Sequence, residues 1–218
     1  MIDYSAARLN MVEGQLRTNE VTDTALLEAF LATPRERFVP EALRGAAYVD
    51  DDLPLGGGRH LLEPLVLARL VQLAEVGPRD RVLLVGADTG YGAAILAQVA
   101  GTVVALESDP ALAKSARALL AELGHRNVTV IEGPLERGHQ GGAPYHAIVF
   151  GGAIAAVPRA LQEQLAEGGR VAAVVKSGAG VGQATKMTRI GPELSRRAMF
   201  DAAARMLPSF APEASFVF

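Results

Sequence analysis

The 218-residue chain contains no cysteine. That excludes disulfides, thiolate metal sites and cysteine nucleophiles, although it does not fix a compartment. Positive charge is not in excess: the net charge is −3, and the Lys and Arg residues are scattered, so there is no electrostatic footprint for nucleic acid. No run of about 18 apolar residues occurs, so no membrane span is expected. The N-terminal stretch MIDYSAARLNMVEGQ is interrupted by charges and lacks the signal-peptide pattern, which makes a cytoplasmic location the default expectation. The histidines, His60, His125, His139 and His146, have no metal-ligand spacing, so no metal site is expected. A G-x-S-x-G nucleophile turn is also missing. What remains is a chain that is 50% hydrophobic. This argues against disorder, and the length suffices for one sizeable α/β core.

Residues 4–31 read as two amphipathic helices. Ala7, Met11 and Val12 recur at helical spacing in the first. Thr22 or Asp23 caps the second, whose apolar face is Leu26, Leu27, Phe30 and Leu31, and Pro34 stops it. Residues 34–60 are irregular, with an acidic triplet Asp50–Asp51–Asp52 and the run Gly56–Gly57–Gly58, a mobile or tightly approached loop. Pro64 opens a buried helix that ends near Gly77–Pro78.

From residue 81 strands and helices alternate. The expected strands are 81–85, 103–107, 128–132, 147–150 and 171–175. Asp109–Pro110 is a cap followed by the preferred first helical residue, and Gly124 suits that helix's end. A further helix starts at Pro158 and closes at Gly168–Gly169. Near-continuous Val, Leu and Ile strands with helices between them imply a parallel sheet covered on both faces. Strands at 184–190, about 195–200 and 215–218 are expected to add antiparallel edges.

Four segments carry chemistry. The stretch Val82 to Ala100, VLLVGADTGYGAAILAQVA, is a buried strand, a glycine turn and an apolar helix. That order brings backbone N–H groups to a helix N-terminus, where a nucleotide-like ligand can sit. The blander reading of Gly86-Ala87-Asp88-Thr89-Gly90 is a tight turn capped by Asp88 or Thr89. Glu107 ends the next strand about 20 residues later, the spacing of an acid that accepts from a ribose diol; otherwise it is a surface carboxylate. Glu132-Gly133-Pro134 follows the third strand at the crevice edge, either an adenine loop or a plain turn. In Arg59-His60-Leu61-Leu62-Glu63-Pro64, His60 and Glu63 are candidate acid or base groups, or they merely flank the helix from Pro64.

Taken in order, these residues resemble the protein-L-isoaspartate O-methyltransferase family. The resemblance runs through Met11-Val12, Gln15-Leu16, the P-R-x-x-F-V-P element Pro34 to Pro40, Ala47-Tyr48, Leu53-Pro54-Leu55-Gly56, Pro64, Gly90-Tyr91, Ala143-Pro144-Tyr145, Val157-Pro158, Leu161, Gln164-Leu165 and Gly168-Gly169. It implies a doubly wound, mostly parallel seven-stranded sheet of the Rossmann-like methyltransferase type with a late reversed strand and an N-terminal helical extension. It further implies one domain over 1–218, with 1–78 the helices and glycine-rich loop and 79–218 the cofactor-binding core. The implied cofactor is S-adenosylmethionine, held by Gly86, Ala87, Asp88, Thr89, Gly90, Glu107, Ser108, Gly133, Pro134 and Leu135. The implied reaction is carboxyl methylation of an isoaspartyl protein or peptide, with His60, Leu62 and Glu63 at the substrate-loop positions. Relative to the family pattern, Leu62 replaces a serine, Glu63 a neutral amide, Leu84 an acid and His146 an aspartate, while Asp88 adds an acid to the glycine turn and Pro134-Leu135 alters the adenine loop. Asp88 either opposes the cofactor's carboxylate or meets its ammonium in place of the acid lost at 84. The other reading is a non-catalytic or re-purposed member acting as a binding or regulatory module.

Overall fold

The computed structural model describes residues 2–178 and 180–211; the strand expected at 215–218 lies outside them. The chain begins with α1 (Tyr4–Met11), capped by the Asp3 carboxylate, which accepts from the Ala6 N–H at 3.0 Å. The winding then widens to a π-turn over Val12–Leu16 and tightens over Arg17–Asn19. Met11, Val12 and Leu16 are buried along this run. Asp23 caps α2 (Thr24–Ala32) by accepting from the Leu26 N–H. A two-stranded hairpin follows, β1 (Leu53–Gly56) and β2 (Arg59–Leu61), and then α3 (Pro64–Leu73). α3 ends before the expected Gly77–Pro78, because Glu75 already adopts φ 50°, a left-handed conformation that does not continue a helix.

The main sheet comprises β3 (Arg81–Val85), β4 (Thr102–Glu107), β5 (Val128–Glu132), β6 (Tyr145–Ile154), β7 (Leu165–Val175), β8 (Gly182–Ile190) and β9 (Glu193–Ala202). Its helices are α4 (Tyr91–Val99), α5 (Pro110–Glu122) and the short α6 (Arg159–Gln162). Strand order is β5-β4-β3-β6-β7-β8-β9. The strands β3 to β7 run parallel, and β8 and β9 are antiparallel additions. The seven-stranded, mostly parallel sheet with an N-terminal helical extension is the expected architecture. Gly168–Gly169 does not close a helix: Leu165 is already paired with Tyr145, and the glycines fall in a bulge within β7. Among the described residues no helix is long and apolar enough to cross a membrane.

Alternation across β3 and β6 builds two cores. Val82, Leu84, Ala147 and Val149 enter the larger one, with the N-terminal helices, α3 and α4. Leu83, Val85, Ile148 and Phe150 enter the other, with Leu135, Leu161 and Leu207. Successive side chains point to opposite faces, so a strand apolar at every position must be covered on both sides.

The N-terminal segment is pinned to the sheet by a fully buried arginine. Arg35 Nε donates to the Ala47 carbonyl at 2.8 Å and Nη2 to the Leu62 carbonyl at 2.9 Å, and its guanidinium lies 4.7 Å from the centre of the Tyr91 ring. Burial lowers its pKa, against smaller opposing effects of Tyr91 and Asp52. Phe30 and Phe38 pack edge-on against the same ring. The Tyr91 hydroxyl is buried without a hydrogen-bond partner among the described residues. Removing it should be nearly neutral, whereas losing Arg35 strands two buried carbonyls at about 1–3 kcal/mol each. In urea denaturation, Tyr91→Phe is therefore expected to lie within about 1 kcal/mol of the parent and Arg35→Ala to lose about 2–6 kcal/mol. Equal losses in the two variants would contradict this account of the pin.

Candidate functional site

Strand order reverses between β3 and β6, and the crevice beyond their C-terminal ends is where open α/β sheets bind ligands. Gly86 directly follows β3 there with φ 79°, and a Cβ on it would stand 2.7 Å from Leu207 Cδ2. On the β6 side, a Cβ at Gly151 would come within 2.1 Å of the Gly86 carbonyl oxygen. Gly151 is closed to any side chain by backbone, and Gly86 is held to glycine by its positive φ.

The turn that follows is internally satisfied. The N–H groups of Gly86 and Ala87 both donate to the Leu106 carbonyl, at 2.9 and 3.0 Å, and that of Gly90 donates to the Ala87 carbonyl. Asp88 takes φ 51°, a left-handed geometry that Asp tolerates better than most residues. Its N–H donates to Glu107 Oε2 at 2.7 Å. No side chain caps α4, for which Gly90 is the N-cap. Thr89 instead donates its hydroxyl to the Phe38 carbonyl at 2.6 Å, tying the turn to the N-terminal segment. The N–H groups of Gly86, Ala87, Asp88 and Gly90 are thus taken up by protein acceptors.

Glu107 is not a surface carboxylate: it is fully buried. Oε1 accepts from the N–H groups of Ser108 and Asp109 at 2.7 and 2.9 Å, and Oε2 accepts from Asp88. The Arg59 guanidinium completes the set. Nη1 donates to Glu107 Oε1, while Nη2 donates to Glu107 Oε2 at 2.8 Å and to Asp88 Oδ1 at 2.7 Å. Arg59 and Asp88 side chains are each only 4% exposed. Burial disfavours the Arg59 cation, but the two carboxylates outweigh it and its pKa is raised. Burial, reinforced by the Glu107 charge, drives the Asp88 pKa well up against the opposing pull of Arg59. Asp88 therefore meets a residue of its own chain, a partner that neither sequence reading supplied. The available signal was a cation directly after three glycines.

The remaining candidates are spread around this centre. Ser108 starts the loop over α5, and the Gly133 N–H donates to the Glu107 carbonyl at 3.0 Å. Pro134 is exposed, whereas the Leu135 side chain is in the second core. Leu62 is buried and its carbonyl holds Arg35. His60 lies on β2 with Nδ1 buried and unpartnered among the described residues. Glu63, half-buried, donates its N–H to Asp52 Oδ1 at 2.9 Å. Burial and the acids Asp50, Asp52 and Asp51 push its carboxyl up to about 7, against a smaller opposing effect of Arg35. A cavity of 340 Å³ opens beside Glu63, with Asp51, Asp52, Lys176 and Arg205 on its walls; Lys176 and Arg205 were not anticipated. His146 is displaced from the site altogether. It sits at the opposite end of the sheet, where Nδ1 accepts from the Arg81 N–H at 2.9 Å, because the residues just after Pro144 begin β6 rather than end it.

The donor set fits a nucleoside cofactor, with a buried carboxylate at the end of β4 beside a glycine turn at the switch point. The space is taken. Two cavities at the crevice, lined by Arg59, His60, Leu62, Asp88, Gly151 and Leu207 among others, hold about 10 Å³ each. That is roughly one water apiece, against the ~300 Å³ or more of a cofactor pocket.

The family profile for protein-L-isoaspartate(D-aspartate) O-methyltransferase matches residues 7–199. The chain is 40% identical over 186 residues to "Protein-L-isoaspartate O-methyltransferase 1" of Rhodopseudomonas palustris (strain HaA2), covering 85% of this chain and 76% of that protein. It is 42% identical over 189 residues to "Protein-L-isoaspartate O-methyltransferase" of Methylorubrum populi, covering 86% and 88%. A solved protein-L-isoaspartate O-methyltransferase superposes with a TM-score of 0.81 at 25% identity, covering 93% of this chain and 66% of that one, so the chain spans just under two thirds of that structure's length. A Plasmodium falciparum structure described as a complex with S-adenosyl-L-homocysteine superposes with a TM-score of 0.76 at 17% identity, over 95% and 99% of the two chains, and shares the fold. On the sheet, the acid at the end of β4 and a match spanning most of its length, the chain belongs to the protein-L-isoaspartate O-methyltransferase family.

Proposed function

We propose that the chain is an S-adenosylmethionine-dependent carboxyl methyltransferase of the isoaspartyl-repair type, acting as one domain on isoaspartyl proteins or peptides in the cytoplasm. The observation that carries this reading is Glu107, a buried acid at the end of β4 next to the switch-point turn. Its carboxylate is the group for the ribose diol. The turn Gly86, Ala87, Asp88, Thr89 and Gly90 lies against the same ligand, with Ser108, Gly133, Pro134 and Leu135 at its edge. When bound, the cofactor supplies a methyl group on a sulfonium, a good leaving group, so positioning and desolvation account for most of the acceleration.

The acceptor side falls to the β2–α3 segment and the cavity beside it. His60, Leu62 and Glu63 occupy the substrate-loop positions, and Lys176 and Arg205 supply the cations that an acceptor carboxylate needs near Asp51, Asp52 and Glu63. Leu62 offers no hydroxyl, so substrate orientation rests on backbone and on these cations. A protonated Glu63 donates a hydrogen bond to a carboxylate, whereas an ionised one repels it. Its raised pKa therefore favours acceptor binding on the acid side of neutrality.

The direct assay is incubation with labelled methyl donor and paired peptides that differ only in an isoaspartyl or a normal aspartyl linkage. Methyl ester on the isoaspartyl peptide alone is expected; label on neither peptide at high enzyme concentration would refute the reading. Glu63 yields a second expectation. A carboxyl whose folded pKa, about 7, exceeds its ordinary value of 4.5 binds more protons folded than unfolded, so its contribution to stability is lost as pH rises between those limits. Denaturation at a series of pH values is expected to show Glu63→Gln flattening that decline and gaining stability relative to the parent above pH 7. An unchanged slope would rule out Glu63 as its source.

A further inference from the structure

The lone pairs of Glu107 are already committed. A carboxylate offers about four lone-pair sites. Glu107 receives five nitrogen donors: the backbone N–H groups of Asp88, Ser108 and Asp109, and both terminal nitrogens of Arg59. The three backbone donors belong to the loops that define the crevice and cannot leave without unfolding them. Only Arg59 can vacate. As long as it stays, Glu107 has nothing left to accept from a ribose diol, and the crevice holds only the small cavities described above.

Arg59 is also the part of the site best placed to move. It opens β2, directly after Gly56, Gly57 and Gly58, whose φ values are 93°, 56° and 77°. The hairpin is a separate two-stranded sheet, not hydrogen-bonded as a strand to the main one. Its tip lies over the start of α5, where a Cβ on Gly57 would stand 4.0 Å from Asp109 Oδ2. By contrast, the far end of the strap is fixed, since Arg35 holds the Leu62 carbonyl and Asp52 holds the Glu63 N–H. The geometry points to a strap hinged at its glycines and anchored at Leu62–Glu63.

We propose that Arg59 is an internal competitor for the cofactor subsite: its guanidinium and the cofactor bind Glu107 in mutually exclusive states, so Arg59 sets the cofactor affinity of this chain. The proposal rests on the methyltransferase reading. Apparent affinity then equals intrinsic affinity reduced by the fraction of molecules in which Arg59 has withdrawn. Asp88 strengthens the closed state by accepting a second hydrogen bond from the same guanidinium, at 2.7 Å.

The test is calorimetric titration of the folded 218-residue chain with S-adenosylhomocysteine, which needs no turnover. Arg59→Gln removes the competitor but leaves two buried carboxylates without their cation. Arg59→Gln/Asp88→Asn removes the excess charge as well and serves if the single variant does not fold. The expected result is binding at least tenfold tighter in whichever variants fold than in the parent, equivalent to about 1.4 kcal/mol or more. Equal affinity, or tighter binding by the parent, overturns the competition while leaving the methyltransferase reading intact. No binding by the parent or by either variant overturns both, because the variants hold the subsite open.

Discussion

A guanidinium held between two buried carboxylates organises this molecule's site. Three pieces of chain meet in it: the hairpin through Arg59, the switch-point turn through Asp88, and the end of β4 through Glu107. Glu107 also satisfies N–H groups of the turn and of the α5 loop, so the same side chain folds the crevice and waits at its floor. Breaking such a buried pair by deleting one partner costs roughly 3–5 kcal/mol, because the survivor is left uncompensated, whereas the intact pair adds little over an apolar replacement. Its worth is therefore in specifying an arrangement, and the arrangement specified is a closed crevice.

That constraint orders the remaining features. Gly151 lies so close to the Gly86 carbonyl that no side chain fits on it, and Leu207 covers the turn from the tail segment, its N–H bound to the Ala153 carbonyl. Arg35 fixes the strap's far end through Leu62. Asp88, which departs from the family's glycine turn, has its explanation in Arg59. A lone extra acid would oppose an anionic ligand, but with the guanidinium present it becomes half of a clamp.

Much of the scaffold was legible from local pattern. β3 and β5 have the expected bounds, and the Asp23 and Asp109 caps lie where side-chain chemistry puts them. β6 and β7 are longer than expected, and Gly168–Gly169, read as a helix end, lies inside β7. Their pairing continues through register shifts. The π-turn after Met11 left no trace, since its buried residues keep a nearly helical spacing. Glu107 was legible through its distance from the glycine turn. Arg59 was not: its partners lie 29 and 48 positions away, and nothing in a linear pattern pairs a cation with acids at that range. Lys176 and Arg205 escaped for the same reason, and His146 was misplaced because family position does not say which end of a strand a residue occupies.

The central claim is that Arg59 and the cofactor share Glu107 and exclude one another. It is tested most directly by following an Arg59 guanidinium Nη–H resonance, from the groups that bond Glu107 and Asp88, by 15N–1H NMR at low temperature, assigned through its loss in Arg59→Gln, while S-adenosylhomocysteine is added. The account predicts a resonance protected from solvent exchange in the free protein, and loss of that protection in step with ligand saturation. A resonance that stays protected and unshifted in the saturated complex would contradict it.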